Sequence, residues 1–172
     1  MRTTKYKFQA PQIETKIIDN FLDPVDFNAL VDAFLKSEKP FWRLGSNITG
    51  LPGSPDDDHV YFCHILQSPI KELTPVLEAL DILQVDDVYR VKVNLYPRTS
   101  EVYHHHDHVD ADFPHKGAIL YLNTNNGFTV VDGTPVESVA NRLLLFDPSI
   151  PHHSTTCSDQ PYRANINFNF KI

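Results

Sequence analysis

Residues 162–172 read Tyr-Arg-Ala-Asn-Ile-Asn-Phe-Asn-Phe-Lys-Ile, the most regular alternation in the chain. Successive side chains of a strand point to opposite faces, so Ala164, Ile166, Phe168 and Phe170 share one side and Arg163, Asn165, Asn167 and Asn169 the other. The apolar side needs a core. A side made of arginine and asparagine faces either solvent or a wet interior pocket, and the second choice means a barrel. The same period runs through residues 88–96, where Val91, Val93 and Leu95 alternate with Arg90, Lys92, Asn94 and Tyr96. Residues 117–123 and 142–146 read as short, buried strands. Thr124-Asn125-Asn126-Gly127 and Asp132-Gly133 are turn signals on either side of a strand over residues 128–131. Many short strands separated by turns predict a sandwich or barrel rather than a parallel α/β sheet.

The earlier part of the chain has the helical period. Asp23 is a suitable N-cap, Pro24 fits the first helical position, and Asp26 favours the positive end of the helix dipole. Phe27, Leu30, Val31, Phe34 and Leu35 then fall at i, i+3, i+4, i+7 and i+8, a stripe that packs on a core. Ser68-Pro69 opens a second candidate helix with Ile70, Leu73, Leu77 and Leu80 on one side and Pro75 placed to kink or divide it. Residues 45–59, rich in Gly, Pro, Ser and Asp, read as a long loop of the kind that serves as a lid. Helices first and strands after make the class α+β, mainly β, and 172 residues suit one domain spanning 1–172.

Fifteen Lys and Arg against 22 Asp and Glu give a net charge of −7, which argues against holding nucleic acid or anionic membrane by bulk electrostatics. No apolar run approaches the roughly 18 residues of a membrane helix, and residues 1–10 lack the apolar core of a signal peptide. The expected location is the cytoplasm. Two cysteines, Cys63 and Cys157, make no disulfide framework and no Cys-x-x-Cys metal spacing. Histidine is the unusual residue: seven of nine lie between positions 104 and 153.

Within that cluster are two His-x-Asp pairs, His105/Asp107 and His108/Asp110, and a later pair, His152-His153. Residues two apart on a strand face the same way, so either His-x-Asp pair can offer an imidazole and a carboxylate to one ion. Two histidines and a carboxylate form the facial triad of non-haem Fe(II) oxygenases, which leaves three positions open. A histidine-rich surface loop is the plainer alternative. Arg163, on the polar face with Asn165 and Asn167, tips the balance, because an inward guanidinium grips a carboxylate in bidentate fashion. Asn94 and Tyr96 place an amide and a phenol on one face of the strand before the histidines.

A strand ending in Tyr96, then His-x-Asp, then Phe146-Asp147-Pro148-Ser149-Ile150-Pro151-His152, then Arg163, is an order that resembles the 2-oxoglutarate- and Fe(II)-dependent oxygenases. The likeness is to the small prolyl-4-hydroxylase-like members of bacteria and phages, and it begins at Ile17-Ile18-Asp19-Asn20-Phe21-Leu22-Asp23-Pro24. The resemblance implies a double-stranded β-helix (jelly-roll) with flanking N-terminal helices. It implies His108, Asp110 and His152 as iron ligands, and Arg163 as the partner of the distal carboxylate of 2-oxoglutarate, helped by Tyr96, Asn94 and Asn165. His104, His106 and His115 are then loop, surface or supporting residues. The interval from His152 to Arg163 exceeds the family's usual one and counting from His153 shortens it, so His105/Asp107 and His153 stay open as alternatives. The implied reaction consumes 2-oxoglutarate and O2 with Fe(II), ascorbate being compatible as an accessory, hydroxylates a C–H bond and releases succinate and CO2. The expected partner is a peptide or protein, proline-containing for preference, with no membrane partner. A nucleic-acid dealkylating branch shares Asn-x-Tyr and Arg-x-Asn, here Asn94-Leu95-Tyr96 and Arg163-Ala164-Asn165. Its further arginine six positions on is Asn169 here, and the charge of −7 also counts against nucleic acid. A non-oxidative, cupin-like metal-binding module is the other alternative, and it has no need of Arg163.

Overall fold

A computed structural model describes residues 14–38, 42–45, 60–66, 71–80, 88–110, 113 and 115–171. Residues 46–59 of the expected lid loop, and the Ser68-Pro69 helix start, lie outside the described residues. The described strands are β1 (Lys16–Ile18), β2 (Arg43–Gly45), β3 (Tyr61–Leu66), β4 (Val88–Pro97), β5 (Lys116–Tyr121), β6 (Phe128–Val131), β7 (Thr134–Glu137), β8 (Leu143–Phe146), β9 (His152–Ser154) and β10 (Tyr162–Phe170). Helix α1 (Pro24–Val31) continues into a π-helical turn, Asp32–Lys36. A 3-10 turn at Lys71–Leu73 runs into α2 (Thr74–Ala79).

The strands form two antiparallel sheets, ordered β1-β8-β5-β10-β4-β3-β2 and β7-β6-β9. Bridges His104↔Thr155 and His108↔His152 lay the histidine segment along β9, on the open side of the smaller sheet. This is the expected jelly-roll. Chain turns carry it: Asp132 and Gly133 both have positive φ (49° and 75°), as a tight two-residue hairpin between β6 and β7 requires. Thr124–Gly127 does something else. It carries the chain from β5 in the large sheet to β6 in the small one, and Asn126 is fastened to Ser158 by two side-chain hydrogen bonds of 2.9 Å.

Both faces of β10 are buried, for different reasons. Ala164, Ile166, Phe168 and Phe170 join Val91, Val93, Ala118 and Leu120 in a core closed from outside by Leu30 of α1, Phe34 of the π-helical turn after it, Leu73 of the 3-10 turn and Val76 of α2. Asp23 caps α1 as expected, its carboxylate accepting from Val25 N at 2.9 Å. Pro75 sits in the first turn of α2 and so marks where the 3-10 turn becomes α-helix, the division its position suggested. On the inner side, Ile119, Tyr121, Leu144 and Phe146 of the large sheet meet Val131 and Val136 of the small one. The opposite face of β10 closes a wet interior, with Arg163 fully buried and Asn165 and Asn169 nearly so. Cys63 and Cys157 are buried free thiols. No helix among the described residues is long and apolar enough to cross a membrane.

Candidate active site

The site starts with backbone pairing. His108 N donates to His152 O at 2.9 Å and His152 N to His108 O at 3.0 Å, which sets the two rings side by side with centroids 4.6 Å apart. Asp110, two residues on, is anchored by its own N–H to Pro148 O at 3.0 Å and turns its carboxylate to the same point. One ligand atom from each of His108, Asp110 and His152 lies within 4.8 Å of the others. Both imidazole Nε2 atoms are 3.9 Å from Asp110 Oδ1. His152 Nδ1 donates to Ile150 O at 2.9 Å, which fixes the tautomer and leaves Nε2 as the lone-pair donor. Burial, helped by the neighbouring His108, holds the His152 pKa below its ordinary value, so the ring is neutral and able to ligate.

Asp110 is ionised for a different reason. Burial alone would raise its pKa. Arg90, 2.9 Å from Oδ1, and Asn169, whose Nδ2 donates to Oδ2 at 2.8 Å, outweigh it and bring the carboxyl down to about 2. Arg90 Nε in turn donates to Asn169 Oδ1 at 3.1 Å. The alternation of residues 88–96 puts Arg90 on the polar face of its strand but assigns it no task. The register Arg90↔Asn169 across β4 and β10, which brings the pair beneath Asp110, is a property of strand pairing alone.

The other histidines go elsewhere. His153 Nδ1 contacts Asp107 Oδ1 at 2.6 Å and its Nε2 meets His104 Nδ1 at 3.1 Å, so Asp107 is paired with a histidine outside the triad. His105 is buried against the Tyr96 ring, 5.3 Å between centroids, with Nδ1 2.8 Å from Ser154 Oγ. His115 is buried and its Nδ1 donates to Phe113 O at 2.8 Å. Neither His105/Asp107 nor His153 converges with a third ligand as His108, Asp110 and His152 do.

A cavity of about 180 Å³ opens beside the triad, walled by β4, β10 and the small sheet, with Asn94, Tyr96, Thr129 and Asn165 on its sides. Asn94 Nδ2 donates to Asn165 Oδ1 at 3.1 Å, while Asn94 Oδ1 is buried with no hydrogen-bond partner. Arg163 stands just behind this wall, fully enclosed. Its Nε donates to Ser138 Oγ at 2.8 Å, one terminal nitrogen to Thr129 Oγ1 at 2.9 Å and the other to Thr155 O at 3.4 Å. The Tyr96 and Tyr121 rings flank it, 5.4 and 5.6 Å from the guanidinium carbon. Every one of these partners is neutral. No sequence signal marks Thr129 and Ser138, which come from the small sheet and its connections.

Gly127 makes room for that arginine. A Cβ there would collide with Thr156 O and lie 2.7 Å from Arg163 Cδ. Gly127→Ala is therefore expected to lower stability by about 1–3 kcal/mol. Thermal unfolding will show this as a midpoint several degrees lower.

No family model and no curated protein sequence matches the chain. Solved structures do. A Pseudomonas putida prolyl-4-hydroxylase aligns over 91% of this chain and 91% of its own at 18% identity, with a TM-score of 0.59. An oxidoreductase of the 2OG-Fe(II) oxygenase family from Burkholderia pseudomallei aligns over 91% and 84% at 12% identity, with a TM-score of 0.63. A Trichoplax adhaerens prolyl hydroxylase in complex with a peptide fragment of the hypoxia inducible factor oxygen degradation domain aligns over 91% and 83% at 15% identity, with a TM-score of 0.57. The order of motifs along the sequence and the course of the chain in space therefore agree: this protein has the jelly-roll fold of the 2-oxoglutarate/Fe(II) oxygenases, prolyl-4-hydroxylases among them.

Proposed function

We propose that the chain is a 2-oxoglutarate- and Fe(II)-dependent dioxygenase, that His108, Asp110 and His152 hold its iron, and that a prolyl residue of a peptide or protein is the favoured substrate. The donor set fits the metal: two imidazoles and one ionised carboxylate suit Fe(II) and leave positions for further ligands. The observation that carries the reading beyond metal binding is Arg163. A fully buried cation with only neutral partners is costly to keep. One end of a dicarboxylate in the adjoining cavity supplies the missing charge, met by Arg163, Thr129 and the Tyr96 phenol, with Asn94 and Asn165 along its length. A non-oxidative cupin-like module leaves that arginine without a purpose.

Iron held by His108, Asp110 and His152 would, with 2-oxoglutarate and O2, supply the oxidising power for hydroxylation of a C–H bond with release of succinate and CO2. The chain's own residues position and enclose. Arg90 and Asn169 hold the Asp110 carboxylate in one rotamer, and the Ile150 carbonyl holds His152 in one tautomer. Phe146, with its ring edge-on 4.9 Å from His152, keeps water from that ring's flank. The prolyl preference rests on the fold shared with prolyl hydroxylases, one of them in complex with a peptide. Net charge −7 is compatible with a basic peptide. Fe(II)-loaded protein given 2-oxoglutarate and a panel of proline-containing peptides should release succinate and add one oxygen atom to a peptide, read by mass spectrometry. Absence of succinate with every peptide and with none would count against the reaction. Succinate without peptide oxidation would count against the prolyl substrate alone.

Arg90 gives a separate prediction. Arg90→Met removes the guanidinium from Asp110 without touching a ligand, and such supporting partners are worth roughly 10–100-fold in metal affinity. Titration with Mn(II) should show a loss of that size, and an unchanged affinity would mean Asp110 needs no such support.

A further inference from the structure

Four side chains of β4 face the interior, and the proposed reaction uses three: Arg90 behind Asp110, and Asn94 and Tyr96 in the cavity wall. The fourth is Lys92, which also lines the cavity. Its Nζ donates to Tyr61 Oη at 3.1 Å and lies 4.7 Å from the centre of that ring. Tyr61 is itself fixed, stacked on Tyr96 at 5.8 Å. Among the described residues no carboxylate lies within ion-pair distance of Lys92; the Asp110 charge acts on it only from farther off, and burial outweighs it and holds the pKa below the ordinary lysine value. Across the ladder stands Asn167, whose Oδ1 is buried with no hydrogen-bond partner. A surface lysine needs no counter-ion. A lysine turned inward beside a metal-binding triad, with a phenol as its partner, has a binding position open for an anion.

We propose that Lys92, oriented by Tyr61, is a second carboxylate-binding cation of this cavity, distinct from Arg163. This rests on the proposed oxygenase reading and adds to it the identity of the other charged contact. The ligand group is a carboxylate, and two sources supply one: the keto-acid end of 2-oxoglutarate, or an acidic side chain of the substrate next to the residue that is oxidised. By position in the ladder, Lys92↔Asn167 lies between Arg90↔Asn169 beneath Asp110 and Arg163↔Tyr96 at the far end. Either source therefore reaches it without displacing the group at Arg163.

Calorimetry on Mn(II)-loaded protein tests this. Three probes are used: 2-oxoglutarate, pyruvate (a 2-oxo acid with no distal carboxylate), and, with 2-oxoglutarate present, a blocked Pro-Glu dipeptide beside its Pro-Gln counterpart. Loss of one charge-assisted contact is worth roughly ten- to a hundredfold. If the keto-acid end is the ligand, Lys92→Met weakens 2-oxoglutarate and pyruvate by the same factor of that size, whereas Arg163→Met weakens only 2-oxoglutarate. If a substrate carboxylate is the ligand, Lys92→Met leaves both acids unchanged and abolishes the preference for Pro-Glu over Pro-Gln. Lys92→Arg should recover most of the lost affinity in either case, which a purely structural lysine would not require. Wild-type protein that binds metal and 2-oxoglutarate, with Lys92→Met matching it on every probe, overturns the Lys92 assignment and leaves the oxygenase reading standing. Wild-type protein that binds metal and none of the acids overturns both.

Discussion

His152→Ala is expected to abolish tight Fe(II) binding and all 2-oxoglutarate turnover, while His153→Ala, one residue away, leaves both close to wild type. His152 turns Nε2 toward His108 and Asp110 from a ring fixed by the Ile150 carbonyl, and its removal leaves two ligands on the site. His153 lies on the next residue of β9, on the opposite side of the strand, occupied with Asp107 and His104. A supporting residue is worth 10–100-fold in metal affinity, so a ligand is worth roughly a hundredfold or more. Metal titration followed by succinate assay checks both variants. If His153→Ala is the damaging change and His152→Ala is tolerated, the ligand set is misassigned by one residue.

Arg163→Met is the second large effect. The guanidinium is the cation through which the cavity would hold the far carboxylate, and two charge-assisted hydrogen bonds contribute about 3 kcal/mol or more. Affinity for 2-oxoglutarate should therefore fall roughly a hundredfold. Affinity for the metal should not change, because Arg163 touches none of His108, Asp110 or His152. Stability without ligand should change little. The variant leaves Ser138 and Thr129 short of a donor, but it also removes a buried cation that has no counter-ion. Arg163→Lys keeps the charge and loses the fork, so its affinity should fall between the two.

Much of this architecture is legible in the alternation of β4 and β10. Their apolar faces name the outer core, and their polar faces name Tyr96, Asn94, Arg163 and Asn165 as one surface. What alternation leaves open is whether that surface is wet from outside or inside. The answer depends on a second sheet whose strands are three or four residues long, too short for a period to register. Strand β9 is the clearest case, since His152–Ser154 carries no apolar residue and is a strand only because β6 and the 104–108 segment pair with it. That pairing also decides the histidine register. His-x-Asp occurs twice in the chain, and only hydrogen bonds between distant segments set His108 and Asp110, rather than His105 and Asp107, against His152. Strand β3 was equally hidden: Tyr-Phe-Cys-His-Ile-Leu is a short mixed run, and it takes its place from β4 alongside it. The turn at residues 124–127 looks like a hairpin locally but is a crossing between sheets, with Asn126 tied to the loop at Ser158.

The proposed site holds a metal at His108, Asp110 and His152 and, in the same cavity, a 2-oxo acid anchored by Arg163. Anaerobic addition of 2-oxoglutarate to the Fe(II)-loaded protein, followed by visible absorption, tests it most directly. The expected result is the weak charge-transfer band that chelation of Fe(II) by a 2-oxo acid produces, absent in His152→Ala and reached only at much higher concentration in Arg163→Met. Fully metallated wild-type protein that gives no band would contradict it.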